Sequence, residues 1–313
     1  MKPRVTAFVL LLLFRAAASA HAQGVEWERL NKEVTALYQK GQYDRAVVVA
    51  KEALEVAEKA VGSDHPAVAT SLNTFAVLYY VQVQYAQAEP LYRRALAIRE
   101  KAFGPDHPDV AMSLNNLAEL YRAQGRYAQA EPLYRRALAI RENALGPDHP
   151  DVAQSLNNLA ALYRAQGRYA QAEPLYQRAL AIREKALGPD HPDVAASLNN
   201  LARLYVIQGH YAQAEPLATR ALAIREKAFG PDHPDVATSL NNLAELYWAQ
   251  GRYAQAEPLA TRALAIREKA LGPDHPDVAT SLENMAEVYR KIGRATEAEA
   301  LATRAARIRA ITR

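Results

Sequence analysis

The 313-residue chain has no cysteine. That excludes any disulfide and any lipid-modified N-terminal cysteine, so the fold must hold by packing alone. Glycine is sparse at 13 residues, and no Pro/Gly/Ser-rich stretch marks a linker. No run of alternating Val, Ile or Thr appears that would read as a strand. What is abundant is Ala, Leu, Arg, Glu and Gln, the strong helix formers. Half the residues are apolar, and the length would serve two ordinary domains, so a single large core is not required. The composition predicts helix throughout.

Charge of one sign is also nearly lacking, once the N-terminus is set apart. Lys2 and Arg4 precede an apolar stretch from Val5 to Phe14, Arg15 ends it, and Ala20-His21-Ala22 fits a small-residue cleavage pattern. The apolar run is about half of the ~20 residues that span a bilayer. The expectation is therefore a signal peptide over 1–22, cleaved after Ala22, with no membrane span in the mature chain. Export would place the protein in a bacterial periplasm or outside the cell. Removing Lys2, Arg4 and Arg15 leaves 35 basic against 34 acidic residues. No Lys/Arg run remains to follow a phosphate backbone, so nucleic acid is not expected as a partner.

A Gly-Pro-Asp-His-Pro loop recurs with its Gly at 104, 146, 188, 230 and 272, preceded by Gly62-Ser63-Asp64-His65-Pro66. The spacing is 42 residues throughout, the signature of a stacked repeat array. Each interval reads as two helices. In the unit opening at His107, Pro108 suits the first helical position, and the first helix should run to about Gln124. Gly125-Arg126 turns the chain, and the second helix should run from about Tyr127 to Leu145. Gly146 then supplies a left-handed residue and Pro147 blocks continuation.

Apolar periodicity agrees. Val110, Leu114, Leu117, Ala118 and Tyr121 share one face of the first helix, and Ala130, Leu133, Tyr134, Ala137 and Ile140 one face of the second. A second column off that stripe stays apolar (Leu78, Leu120, Leu162, Leu204, Leu246, Val288) and should face the neighbouring unit. No unit should then be stable alone.

These residues match the tetratricopeptide-repeat pattern, with Leu114, Leu117, Ala118 and Tyr121, then Ala130 and Tyr134, in its columns. With S-L-N-N-L-A-x-L-Y, Y-A-Q-A-E-P-L-Y and A-L-A-I-R-E-K-A-L-G-P-D-H-P, the 42-residue form closely resembles the repeats of kinesin light chains. The resemblance spans residues 25 to 311. It includes a degenerate opening unit with Leu30, Val34, Leu37, Gly41, Tyr43 and Ala46 in register. It implies an all-α, right-handed superhelical solenoid of about seven antiparallel helix pairs over 23–313. The units fall at approximately 25–61, 65–103, 107–145, 149–187, 191–229, 233–271 and 275–311. The heptad segment through which kinesin light chains engage their motor is not in this sequence. The resemblance therefore implies a binding scaffold without implying that family's cargo.

Each loop brings together Asp, His, Asp and Ser (Asp106, His107, Asp109, Ser113), which invites a catalytic or metal reading. A catalytic site is one pocket, whereas this set repeats at every loop of the array, so a helix cap and turn are expected instead. Successive His residues sit one unit apart, ~10 Å by usual helix packing, too far to share an ion at ~2 Å bonds. The chain is read as no enzyme, with no cofactor and no metal.

The face of each first helix turned away from the second carries Met112, Asn115, Glu119 and Arg122. In tetratricopeptide arrays that face lines the concave groove. Its amide column, Asn73, Asn115, Asn157, Asn199 and Asn241, begins with Asn31 and becomes Glu283 in the last unit. The resemblance implies that such amides grip a peptide backbone; the same amides would serve equally as struts between adjacent helices. Neighbouring columns vary while the scaffold does not. Tyr80, Arg122, Arg164, Val206, Trp248 and Arg290 fill one, and Val77, Glu119, Ala161, Arg203, Glu245 and Glu287 another. The reading is a scaffold that binds a protein or peptide segment, with Arg122, Arg164, Arg203 and an exposed Trp248 choosing the sequence. Its alternative is a structural array that self-associates end to end.

Two departures from regularity carry expectations. Val83 replaces the turn glycine found at 41, 125, 167, 209, 251 and 293, and a β-branched residue is poorly suited to φ > 0. In the large-residue column of the second helix, Tyr92, Tyr134 and Tyr176 give way to Ala218, Ala260 and Ala302. Unfilled, such a replacement would leave a void, so the helices are expected to close up from Ala218 onward.

Overall fold

The computed structural model describes residues 24–311, so the expected signal segment lies outside the described residues. Two compact units divide at Gly125 and Arg126. In the first lie α1 (24–39), α2 (Tyr43–Val61), α3 (Pro66–Val81), α4 (Tyr85–Phe103) and α5 (Pro108–Ala123). The second opens with α6 (Tyr127–Leu145), α7 (Pro150–Ala165), α8 (Tyr169–Leu187), α9 (Pro192–Ile207) and α10 (Tyr211–Phe229). It continues through α11 (Pro234–Ala249), α12 (Tyr253–Leu271), α13 (Pro276–Lys291) and α14 (Ala295–Ile311). Among the described residues there is no strand, and no helix is long and apolar enough to cross a membrane.

The sequence sets these boundaries one residue at a time. Each odd-numbered helix from α3 onward starts with Pro at its first position, where a missing N–H costs nothing. The residue before it is always His, and its ring caps the helix. His149 Nδ1 accepts from the backbone N–H of Asp151 at 3.1 Å, and the same bond recurs at His107, His191, His233 and His275. At the far end of α6, Gly146 sits at φ 87°, and its N–H bonds the Glu142 carbonyl at 3.0 Å. That conformation is strained for any side chain, which is why the position is glycine after α2, α4, α6, α8, α10 and α12.

In the second unit one apolar cluster recurs per hairpin. Val152, Ala153 and Leu156 of α7 meet Ala179 and Ile182 of α8, and Leu138 from the preceding α6 packs against them. The clusters around Leu198 and Leu240 repeat this, completed by Leu180 of α8 and Leu222 of α10. Each core thus borrows a residue from the hairpin before it, so burial is shared along the stack. The off-stripe column is shut off as expected: Leu120, Leu162, Leu204 and Leu246 are fully buried. In the first unit Val34, Leu37 and Ala46 are buried with Val68, Leu72 and Phe75, which gives the degenerate opening unit a real core.

Val83 takes the conformation of the glycine it replaces. Its φ is +62°, and it is the one non-glycine residue at positive φ among the described residues. Its side chain is mostly exposed, so nothing in the packing offsets the backbone strain.

Candidate functional site

The first helices α7, α9, α11 and α13 are successive neighbours within the second unit. What lies at their contacts decides which residues remain for a partner. Ser197 of α9 is fully buried, and its Oγ accepts from Arg183 Nη1 of α8 at 2.9 Å and from Asn157 Nδ2 of α7 at 3.3 Å. Arg183 also donates to the Asp193 carbonyl at 3.0 Å and to Gln154 Oε1 at 2.8 Å. The clamp repeats with Arg225, Asn199 and Ser239, and again with Arg267, Asn241 and Ser281. In the first unit Arg99 holds Ser113 at 2.8 Å, while Trp27 Nε1 takes the corresponding place on Ser71. Burial pushes the Arg183, Arg225 and Arg267 guanidinium pKa values below their ordinary value, against the pull of the nearby Asp193, Asp235 and Asp277. A guanidinium stays charged even so, which makes each donation a strong one.

This corrects the peptide-gripping role expected of the amide column. Asn73, Asn115, Asn157, Asn199 and Asn241 are all buried, at 4–8% exposure. Asn157, Asn199 and Asn241 spend an N–H on the serine of the next unit, so these amides are struts inside the stack. Periodicity placed them on the right face but could not show that the neighbouring helix closes over them. A signal was present: the Ser column (71, 113, 155, 197, 239, 281) and the Arg column (99, 141, 183, 225, 267, 309) never vary. Where the amide becomes Glu283, its carboxylate receives Arg309 directly, at 3.0 Å.

The variable columns fare differently. Arg203 is exposed on α9, and Arg164 is half-buried on α7. Arg122 is half-buried in the first unit, where it bonds Glu119 at 2.8 Å, and Tyr80 donates to the same carboxylate at 3.0 Å. Trp248 departs from its expected exposure. It is half-buried, packs on the Val288 and Met285 core, and its Nε1 is inaccessible with no hydrogen-bond partner among the described residues.

The reason lies beneath it. Tyr134 and Tyr176 fill the large-residue column completely, but Ala218 and Ala260 do not. Beside Ala218 only about 10 Å³ is left, among Ala202, Arg203, Val206, Asn242, Glu245 and Leu246. Beside Ala260 the expected closing-up is incomplete. A pocket of about 260 Å³ opens between α11, α12 and α13, lined by Asn241, Ala244, Glu245, Trp248, Ala260, Asn284, Glu287 and Val288. Asn241, in its lining, has its Oδ1 buried and without a hydrogen-bond partner among the described residues.

The loop residues that invited a catalytic reading have structural tasks. His149 and its equivalents cap helices through Nδ1, and the serines are held by arginines. Sequence reasoning expected a cap there but missed that the imidazole supplies it.

The tetratricopeptide-repeat family profile matches residues 30–101, 76–143, 109–185, 151–227, 211–269 and 235–310, which together span most of the chain. The chain is a tetratricopeptide-repeat protein. Its repeats are of the kinesin light chain kind. A Podosopora anserina protein with nearly identical, kinesin-light-chain TPR-like repeats is 32% identical, covering 66% of this chain and 97% of that one, with a TM-score of 0.54. BtubC (BKLC) from P. vanneervenii is 29% identical over 74% of this chain and 90% of that one, with a TM-score of 0.56. A Rap protein solved in complex with Competence and Sporulation Factor shares the fold, at 18% identity, covering 92% of this chain and 76% of that one (TM-score 0.70). Among curated protein sequences none matches this tetratricopeptide-repeat protein.

Proposed function

We propose that this protein is a binding scaffold that holds a peptide or protein segment along the face of its first helices. One observation carries the reading: near-identical units differ along that face while the buried Arg–Ser bond is kept at Ser113, Ser155, Ser197, Ser239 and Ser281. Arg203, Glu245 and Glu287 stand there in successive units, and the two carboxylates line an open pocket. The Rap protein with the same fold was solved with a bound factor, which supports the use of such a scaffold for ligand capture.

The test is a displayed random-peptide library selected on the chain from Gln23 onward, followed by affinity measurement against variants. Arg203→Glu and Glu245→Lys should each change the affinity of selected peptides at least about tenfold, as expected for hydrogen-bonded charges. Arg220→Glu, on a second helix, should leave it unchanged. Sensitivity to Arg220→Glu alone would overturn the reading.

The proposal includes export, carried by the N-terminal pattern alone. Protein recovered from the periplasm or medium should begin at Gln23 by mass spectrometry; retention of Met1 would refute it.

A further inference from the structure

We infer that the pocket between α11, α12 and α13 receives the guanidinium of an arginine side chain carried by the bound segment. The inference rests on the scaffold reading above and names the chemistry of one subsite within it.

The pocket is a vacated tyrosine position. Units with Tyr134 or Tyr176 fill it from within; the unit with Ala260 leaves about 260 Å³, room for one long side chain. Its surroundings select for a cation. Glu245 and Glu287 stand in the lining, and no basic residue does. Glu287 is shared with Arg290 of its own helix, but Glu245 makes no ion pair among the described residues. Glu245 is therefore the principal anion offered.

The lining narrows the ligand further. A guanidinium brings five N–H donors in a plane, which a carboxylate such as that of Glu245 receives in pairs. The Trp248 indole forms an aromatic wall, on which a flat cation stacks better than a compact ammonium. One cation already stands near this ring: Lys291 Nζ lies 6.0 Å from its centroid. A carboxylate pair beside an aromatic wall fits an arginine side chain.

The chain has two tryptophans, Trp27 and Trp248, so indole N–H resonances report on the pocket with little ambiguity. Trp27→Phe assigns them. N-acetyl-argininamide should shift the Trp248 indole signal saturably. Its neutral isostere N-acetyl-citrullinamide should bind at least about tenfold more weakly, and N-acetyl-lysinamide also more weakly. Glu245→Gln, a surface change, should weaken argininamide at least about tenfold, and Glu287→Gln less, because Arg290 already shares that carboxylate. Ala260→Tyr should abolish the shift with the melting temperature retained or raised. Equal binding of citrullinamide, unchanged binding in Glu245→Gln, or no saturable shift would overturn the inference. A selected groove peptide that binds while argininamide stays inert refutes this subsite and keeps the scaffold reading. Argininamide binding with no groove peptide obtainable does the reverse.

Discussion

Asn199 Nδ2 on α9 donates to Ser239 Oγ on α11 at 3.0 Å, forty residues further along the chain. The same serine receives Arg225 at 3.1 Å, so three helices meet at one hydroxyl. Polar residues in an apolar stack specify position as well as adding energy, because each must find its partner or remain buried and unpaired. The repeated clamp thus explains how units joined mainly by Ala and Leu keep a fixed register.

Removing the amides should therefore be a stability change. Asn157→Ala with Asn199→Ala deletes two interhelical hydrogen bonds, worth roughly 0.5–1.5 kcal/mol each. Urea unfolding of the double variant should show a loss on the order of 1–3 kcal/mol. Affinity for a selected peptide should be unaffected under conditions where the protein stays folded. A variant of unchanged stability with lost affinity would restore the amides to the binding surface.

Val83 predicts a gain. Its left-handed φ of +62° costs a β-branched residue about 1–2 kcal/mol. Glycine relieves this, less an entropic cost of roughly 0.5–1 kcal/mol. Val83→Gly should raise unfolding stability by about 0.5–1 kcal/mol, measured by urea denaturation. A loss would mean the turn is held by contacts of the Val83 side chain.

Ala218 and Ala260, two of the three alanines in the vacated column, should respond oppositely. With about 10 Å³ beside it, Ala218→Tyr overfills a closed site and should cost about 1–3 kcal/mol. Ala260→Tyr enters a pocket of about 260 Å³ and should be neutral or stabilising. Thermal melts of the pair decide this, and equal losses would contradict it.

His275 links the fold to pH. It is 8% exposed, and its Nδ1 accepts from Asp277 N at 3.1 Å, a bond the protonated ring cannot make. Burial pushes its pKa below the ordinary value; Asp277 opposes and Arg267 adds to the shift. An unfolded histidine titrates near ~6.5. Between that value and the lower folded one, the unfolded chain binds more protons. Stability should fall with pH there by up to ~1.4 kcal/mol per unit, then level off below the folded pKa. His275→Asn keeps a capping side chain and removes the titration, so its stability should decline less between pH 7 and 5. Parallel profiles for both proteins would contradict the assignment.

Much of this fold was legible because one pattern is written six times. Pro108 and Gly146 marked helix ends that the structure places at Pro108 and Leu145, since proline and glycine act through their own backbone. The exposure of Arg203 was also readable, from a column that changes sign between copies. The role of Asn157 was not, because helical phase gives a direction and not the distance to the next helix. Trp248 was misplaced for a related reason. Its own column points outward, and its burial depends on Ala260, twelve residues away on another helix. Reading that pair requires knowing which columns of adjacent helices meet.

The central claim is that a partner segment lies along α7, α9, α11 and α13. Chemical-shift mapping of the chain from Gln23 onward with a saturating selected peptide tests it most directly. The account predicts perturbed signals at Arg164, Arg203, Glu245 and the Trp248 indole, with α8, α10 and α12 largely silent. Perturbation confined to Arg178, Arg220 and Arg262, on those second helices, would contradict it.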